Sequence, residues 1–430
     1  MESPKHDLMN GSGKAQSAVS MLTEFLDLHP GVQFIRHQWV DFSGVLRVRV
    51  LTKSRTLHLE TSSQCLNIGN VSMKCLVDSS ISAGAHAAEQ QLLCPDWTSL
   101  SSSDFGRHKN RYASVMCFVL EAELSIPRTA FMGNRCPRAV LYRVLANAKQ
   151  EHDVSFLVGF ELELCLIGKL EDGTPFPLES HPGHCAAAGL QTAKFPLIED
   201  CIEDLLVAGI DVLHFHFGGV RGGCKIATGP LAPIQAIDAL VLSQETIKNC
   251  VARHGHQVTF HPRPFVGQSS NGTHAHVSMQ PRSGEEHVLA GLLKRLPSLC
   301  AFSMPSYDSY GRVGSPIGEV RAGAAWGADN RNVPVRKITE GHWELRCMDA
   351  TCNMYLTVAA MLTAGLLGLR NQETIELQDF PCSATEIDDS QRRGLNITPG
   401  LPNDLKEALA LLREDCGGID LLMGAGIISE

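Results

Sequence analysis

Apolar residues recur at helical spacing across 19–28 (VSMLTEFLDL), which predicts an amphipathic helix. The segments 32–36 and 38–41 read as strand, Asp41-Phe42-Ser43-Gly44 reads as a turn, and alternation resumes over 45–50. That order is a hairpin in a small first domain. Residues 125–138 (SIPRTAFMGNRCPR) are rich in breakers and end with Pro137 near a helix start, so they form a linker with the domain boundary near residue 126. Beyond it, strands and helices are mixed. Strands are predicted at 157–166, 212–217, 258–261 and 273–279. Helices are predicted at 197–208, with Pro196 just before it, at 231–254, and at 350–369, the last of them apolar. This mixture implies α/β or α+β, with one sheet carrying the chemistry. No internal repeat stands out.

A chain of 430 residues exceeds one compact core, so two domains are expected: a floppy lead-in at 1–18, a first domain at 19–125 and a second at 126–430. Hydrophobic residues at 44% and charged residues at 19% describe a globular chain. The net charge of -9 argues against a nucleic-acid partner, which needs a basic stripe, but leaves room for an anionic nucleotide in a local pocket. No apolar run reaches the ~20 residues of a membrane helix. The polar start, MESPKHDLMNGSGKAQ, has no apolar signal core. The 15 cysteines are scattered without a CxxC pair, which reads as reduced, mostly buried thiols in a cytoplasmic protein. Cys347 and Cys352 lie five apart and read as packing residues.

Four short segments carry candidate chemistry. In Gly159-Phe160-Glu161-Leu162-Glu163-Leu164, a period of two puts Glu161 and Glu163 on one strand face. Adjacent carboxylates repel unless a cation sits between them, although a strand with one solvated face would carry the same pair. In Gly272-Thr273-His274-Ala275-His276-Val277-Ser278, the residues His274, His276 and Ser278 share a face, which resembles a ligand site. Glu344 and Arg346 share a face in Trp343-Glu344-Leu345-Arg346. Glu161, His274 and Glu344 would together suit Mg²⁺ or Mn²⁺. Arg312, Arg331, Arg336 and Arg346 fall in one stretch; they fit either a solvated basic surface or recognition of a carboxylate or a transferring phosphoryl group.

In order and rough spacing, Glu161-Leu162-Glu163, His274-Ala275-His276, Asn330-Arg331 with Arg336, and Glu344-Leu345-Arg346 resemble the motifs of glutamine synthetases, from about residue 30 to the C-terminus. Gln38-Trp39-Val40-Asp41 and His342-Trp343-Glu344 are most similar to the fungal glutamine-synthetase-like branch. There the domain can be joined to an amidohydrolase, for which these residues show no counterpart. The resemblance implies an α+β architecture: an N-terminal β-grasp, then a catalytic domain with a curved antiparallel sheet and flanking helices. It also implies a homo-oligomeric ring with active sites at subunit interfaces, with ATP as phosphoryl donor and small-molecule carboxylate and amine substrates. Carried over, Glu161, His274 and Glu344 resemble the ligands of the ATP-side metal, and Glu163 a ligand of the substrate-side metal. His276 and Ser278 would lie near ATP. Arg312 resembles the arginine for the substrate carboxylate; Arg331, Arg336 and Arg346 resemble the phosphate- and substrate-binding arginines. Glu319 is the candidate for the catalytic flap glutamate, although counting forward from Arg312 places that position on Gly318.

The match breaks at Phe215-His216-Phe217-Gly218-Gly219-Val220-Arg221-Gly222-Gly223-Cys224-Lys225. Gly218 and Lys225 stand where the family has two more glutamates of the substrate-side metal, and Arg221 stands for a proline. An ion there would meet a like charge at contact distance, at a cost of several kcal/mol, roughly, for an effective dielectric of ~20. One divalent site is therefore expected instead of two, with Lys225 near Glu163 unless the glycines turn it out to solvent. Ser269-Ser270 also departs from the family turn, which affects recognition of the glutamate amino group. The expected function is an ATP-dependent ligase forming an amide between a carboxylate and an amine or ammonia, other than ordinary glutamine synthesis. The alternatives are an ATP-independent catalyst on the same scaffold using Lys225 or His216, and a non-catalytic regulatory or assembly protein.

Overall fold

The computed structural model describes residues 13–82, 90–103, 111–121, 136–178, 183–265, 270–313, 324–380, 394 and 401–423. The chain divides into two compact units, 1–140 and 141–430. The boundary expected near residue 126, most of the 125–138 linker, and Gly318, Glu319 and Ser269 lie outside the described residues.

In the first unit, α1 (Gly13–Leu28) leads into β1 (Phe34–Val40) and β2 (Leu46–Thr52), which pair antiparallel. The two segments expected at 32–36 and 38–41 are one uninterrupted strand. Asp41 makes the intervening turn: its carboxylate accepts from the Val45 amide at 2.9 Å and from Arg47 Nε at 2.7 Å, and Gly44 takes φ +78°. After α2 (Lys53–Thr61) come β3 (Leu66–Gly69), α3 (Val71–Lys74), β4 (Gln90–Pro95), β5 (Ser101–Ser103) and β6 (Tyr112–Glu121). The sheet order is β2-β1-β6-β4-β3, with β5 also on β6 and with β1 and β6 parallel at the centre, the arrangement of a grasp domain.

The second unit is a mostly antiparallel sheet with flanking helices. Its strands are β7 (Ser155–Lys169), β8 (Pro175–Pro177), β9 (Val212–Phe217), β10 (Gly223–Thr228), β11 (Gln257–Thr259), β12 (Thr273–Gln280), β13 (Trp326–Ala328), β14 (Val335–Thr339) and β15 (His342–Leu345). They run β13-β14-β15-β12-β7-β10-β9, with β8 and β11 also on β7, so the long β7 lies between β12 and β10 and β9 is an edge. The helices are α4 (Pro137–His152), α5 (Phe195–Val207), α6 (Pro233–Arg253), α7 (Glu285–Ser303), α8 (Tyr307–Val313), α9 (Met354–Asn371) and α10 (Leu405–Met423). Pro196 sits inside the first turn of α5, where a missing N–H costs nothing. The apolar α9 starts four residues later than expected because Asn353 caps it, its side chain accepting from the Leu356 amide. α9 is buried from Met354 to Gly368, which accounts for its lack of a polar face. It crosses α7 at backbone contact: a Cβ on Gly291 would lie 2.6 Å from Gly368 Cα, and one on Gly368 would lie 2.1 Å from the His287 carbonyl oxygen. Among the described residues, no helix is long and apolar enough to cross a membrane.

Candidate active site

Strand pairing assembles one polar face from residues far apart in sequence. Glu161 on β7 lies opposite His274 on β12, and His276 lies opposite Glu344 on β15, which in turn faces Arg336 on β14. On the other side of β7, Glu163 lies opposite Lys225 on β10, and Lys225 lies opposite His216 on β9. Residues directly opposite one another in an antiparallel pair project to the same side, so these form continuous rows. Phe160, Leu162 and Leu164 take the other face and are buried.

Glu161, His274 and Glu344 each offer one ligand atom, all within 4.8 Å of one another. His274 Nδ1 is 3.3 Å from Glu161 Oε2 and 3.1 Å from Glu344 Oε1, and His276 Nε2 is 3.4 Å from Glu161 Oε1. Gly272 makes room for this ring, because a Cβ there would lie 2.4 Å from His274 Nε2. Two carboxylates and an imidazole match the preference of Mg²⁺ or, with its nitrogen donor, Mn²⁺. The residues present therefore fit one divalent ion.

Beside Glu163 a fixed cation stands instead of further carboxylates. The 218–225 segment turns back through Gly222 (φ +67°) into β10, a strand the glycine-rich sequence did not announce, and Lys225 points from it into the polar face. Lys225 Nζ lies 2.8 Å from Glu163 Oε1 and equally 2.8 Å from Glu161 Oε2. The Glu163 Oε2 atom accepts from the Gly272 amide at 2.5 Å. Gly218 provides no carboxylate. A divalent ion ~4 Å from the ammonium would meet about 8 kcal/mol of repulsion at an effective dielectric of ~20.

Fixed cations compensate the buried carboxylates. Burial works to raise Glu161, but hydrogen bonds from His274 and His276 and the Lys225 charge hold it far below the usual carboxylate range. Glu163 is likewise lowered: burial opposes, and the Lys225 and His274 charges prevail. Burial would lower Lys225, but Glu163 and Glu161 raise it, so the lysine stays charged. Glu344 is lowered against burial by His274 and Arg346; it receives Arg336 at 2.9 Å and is also bonded by Arg346. Burial and Arg346 push His274 down, yet its bonds to Glu161 and Glu344 raise it overall.

Ser278 pairs across the sheet with His342, whose Nε2 is 3.3 Å from His276 Nδ1. Arg336 also bonds Asp329. Arg331 is exposed near Asp329, whose carboxyl it helps to lower after the larger effect of Arg336. Arg312 does not stand open in the funnel: it is buried, and its guanidinium donates to the Arg346 and Met348 carbonyls at 3.0 and 3.1 Å. These bonds brace the segment after β15. A cavity of about 250 Å³ is lined by Glu163, Lys225, Gly218, Gly219, His184 and Asn271, among others. His342 was detectable in sequence, two residues before Glu344 on the same strand face. His184 was not, because only the folded chain brings it to this cavity.

A curved sheet gathering Glu161, His274, Glu344 and their arginines on one face, preceded in the chain by a grasp unit, is the arrangement of a glutamine-synthetase-type catalytic domain. Residues 134–429 match the family described as glutamine synthetase, catalytic domain, and the chain belongs to this family. It is 30% identical over 404 residues to protein fluG of Emericella nidulans, covering 93% of this chain and 46% of that protein. It therefore spans about half the length of that relative. Gamma-glutamylpolyamine synthetase GlnA3 of Streptomyces coelicolor is 29% identical, covering 65% of this chain and 64% of its own. The glutamine synthetase of Methanocaldococcus jannaschii is 28% identical, covering 89% and 87%. Among solved structures, apo GmaS superposes with a TM-score of 0.77 at 22% identity over 93% of this chain and 91% of that one. A GmaS/ADP complex gives 0.76 at 23% over 94% and 93%. These two establish likeness of fold.

Proposed function

We propose that the protein is an ATP-dependent carbon–nitrogen ligase that joins a small carboxylate to an amine or ammonia and makes little glutamine. The observation that carries this reading is the convergence of Glu161, His274 and Glu344 with Arg336 and Arg346 on one face, next to a second metal position taken by Lys225. Relatives named as a gamma-glutamylpolyamine synthetase and as glutamine synthetases support the same chemistry.

Glu161, His274 and Glu344 would hold one Mg²⁺ or Mn²⁺, which would neutralise phosphate charge when bound. His276 and Ser278 would border the nucleotide. Arg336 and Arg331 would meet the phosphoryl oxygens, Arg336 exchanging its bond to exposed Asp329 for them. The substrate carboxylate would attack the γ-phosphorus to give an acyl phosphate and ADP. The amine would then attack the acyl carbon, losing a proton and expelling phosphate. Lys225 would present a single positive charge to the carboxylate, with His216 beside it, and Glu319 would serve as the flap glutamate. A monocation neutralises the γ-carboxylate of glutamate less well than a divalent ion, so glutamine synthesis would be weak. Active sites would be completed between subunits of a homo-oligomeric ring in the cytoplasm.

A second reading, an ATP-independent catalyst, draws on the bond from Lys225 to Glu161, which occupies a ligand of the remaining metal position. Phosphate release from ATP with Mg²⁺ or Mn²⁺, measured across a panel of carboxylate–amine pairs, tests the ligase reading. Release that depends on both partners is expected. Product formation without ATP selects the second reading, and robust glutamine formation from glutamate and ammonia overturns the assignment of Gly218 and Lys225.

A further inference from the structure

We propose that His184, Cys185 and His216 form a binding site for a borderline-soft divalent ion such as Zn²⁺, beside the cavity that Lys225 and Glu163 line. The three residues each offer one ligand atom, and these atoms lie within 4.8 Å of one another. A tetrahedral ion with bonds of about 2.0–2.3 Å needs its ligand atoms about 3.3–3.8 Å apart. Atoms already within 4.8 Å of one another reach that spacing by small side-chain rotations. His184 and Cys185 are exposed and His216 is half-buried, so the rotation meets little packing.

The site is built by contacts that prepare the ligands. His216 Nδ1 lies 2.9 Å from the Phe217 carbonyl oxygen, which can only accept. The proton therefore sits on Nδ1, and the Nε2 lone pair is left for a metal. The same carbonyl accepts from the Cys185 amide at 3.2 Å, which docks the 183–185 segment onto the end of β9. Cys185 adopts φ +54°, a left-handed conformation that is costly for a residue with a Cβ, and it is held there beside His184. The His184 and His216 rings meet edge-on with centroids 5.1 Å apart. Among the described cysteines, Cys185 alone is exposed; the others are buried or half-buried.

The donor chemistry separates this site from the Glu161–His274–Glu344 position. Two imidazoles and a thiolate select Zn²⁺ or its neighbours over Mg²⁺. Binding releases the thiol proton to solvent and forms a metal–sulfur bond. Three protein ligands leave a coordination position open, the pattern of zinc sites that bind an exchangeable group. His184 also lines the cavity of Lys225, Glu163 and Gly218, so that group would belong to a ligand in the cavity.

Cobalt titration of the full chain in a thiol-free reductant tests the site without any assay of activity. The expected result is a near-ultraviolet thiolate-to-cobalt band with visible four-coordinate absorption, bleached by one equivalent of Zn²⁺ and unaffected by excess Mg²⁺. Cys185→Ser should abolish the thiolate band. His184→Ala and His216→Ala should each weaken Zn²⁺ binding by at least about tenfold. Glu161→Gln should retain the spectrum. Far-ultraviolet dichroism shows that each variant is folded; Cys185→Ser and His184→Ala change exposed side chains. A spectrum without the thiolate band, a band that survives Cys185→Ser, or displacement by Mg²⁺ overturns the proposal.

Discussion

Lys225 stands directly opposite Glu163 in the β7–β10 ladder and holds it at 2.8 Å, while the same ammonium reaches Glu161 at the same distance. One side chain thus ties the two carboxylates that a strand repeat places side by side. The lysine is not a passive replacement at Glu163 alone. It also links Glu163 to the other cluster, because Glu161 belongs to the group with His274 and Glu344.

Removing that cation should leave two buried like charges adjacent. Lys225→Met is expected to destabilise the protein by about 3–5 kcal/mol, the usual cost of breaking a buried ion pair from one side. Mn²⁺ should then stabilise the variant more than the wild type, because the ion supplies to Glu161 and Glu163 the charge that Lys225 supplied. Thermal melts with and without Mn²⁺ check this. An unchanged melt, or equal Mn²⁺ gains in wild type and variant, would contradict the pairing.

The second metal position should be recoverable. A side chain at Gly218 meets only the Gly223 backbone, at 3.9 Å from its Cβ, so a glutamate has room to start there. Gly218→Glu combined with Lys225→Glu should raise the count of bound Mn²⁺ from one to two per subunit, read by calorimetry or by electron paramagnetic resonance. Two ions in wild type would sink the reading of Lys225.

His37 should make the first unit sensitive to acid. It is buried, with its Nε2 3.5 Å from Thr56 Oγ1, and burial pushes it down to about 4 from 6.5. The fold therefore favours the neutral ring. Its stability is complete above pH 6.5 and is lost as pH falls toward about 4, amounting to about 3 kcal/mol. Urea denaturation at several pH values should show His37→Gln gaining on wild type across that window, and parallel curves for the two proteins would exclude the role.

The crossing of α7 and α9 should tolerate no bulk. Gly368→Val is expected to cost ~3 kcal/mol or more, because the added carbon would sit 2.1 Å from a backbone oxygen and the helices would have to separate. A neutral effect on the urea midpoint would show that the helices are not in backbone contact.

Much of this architecture is legible locally. Period two is a property of a strand by itself, so Glu161 with Glu163 and His274 with His276 could be placed on faces before any partner was known. The apolar run of α9 likewise announces a helix buried on all sides. Boundaries depend on caps and prolines and shift by a few residues, as at Asn353 and Pro196. Other relationships belong to tertiary structure alone. Two glycines before Lys225 suggest a loop, yet hydrogen bonding to β7 and β9 makes the segment a strand, since pairing supplies what local propensity lacks. The burial of Arg312 depends on carbonyls 34 and 36 residues away. The approach of His184 and Cys185 to His216 depends on where one segment docks on an edge strand. Sequence alone determined which side chains share a face, because that follows from backbone geometry. Register across the sheet decided which faces meet, and therefore which charges neutralise one another.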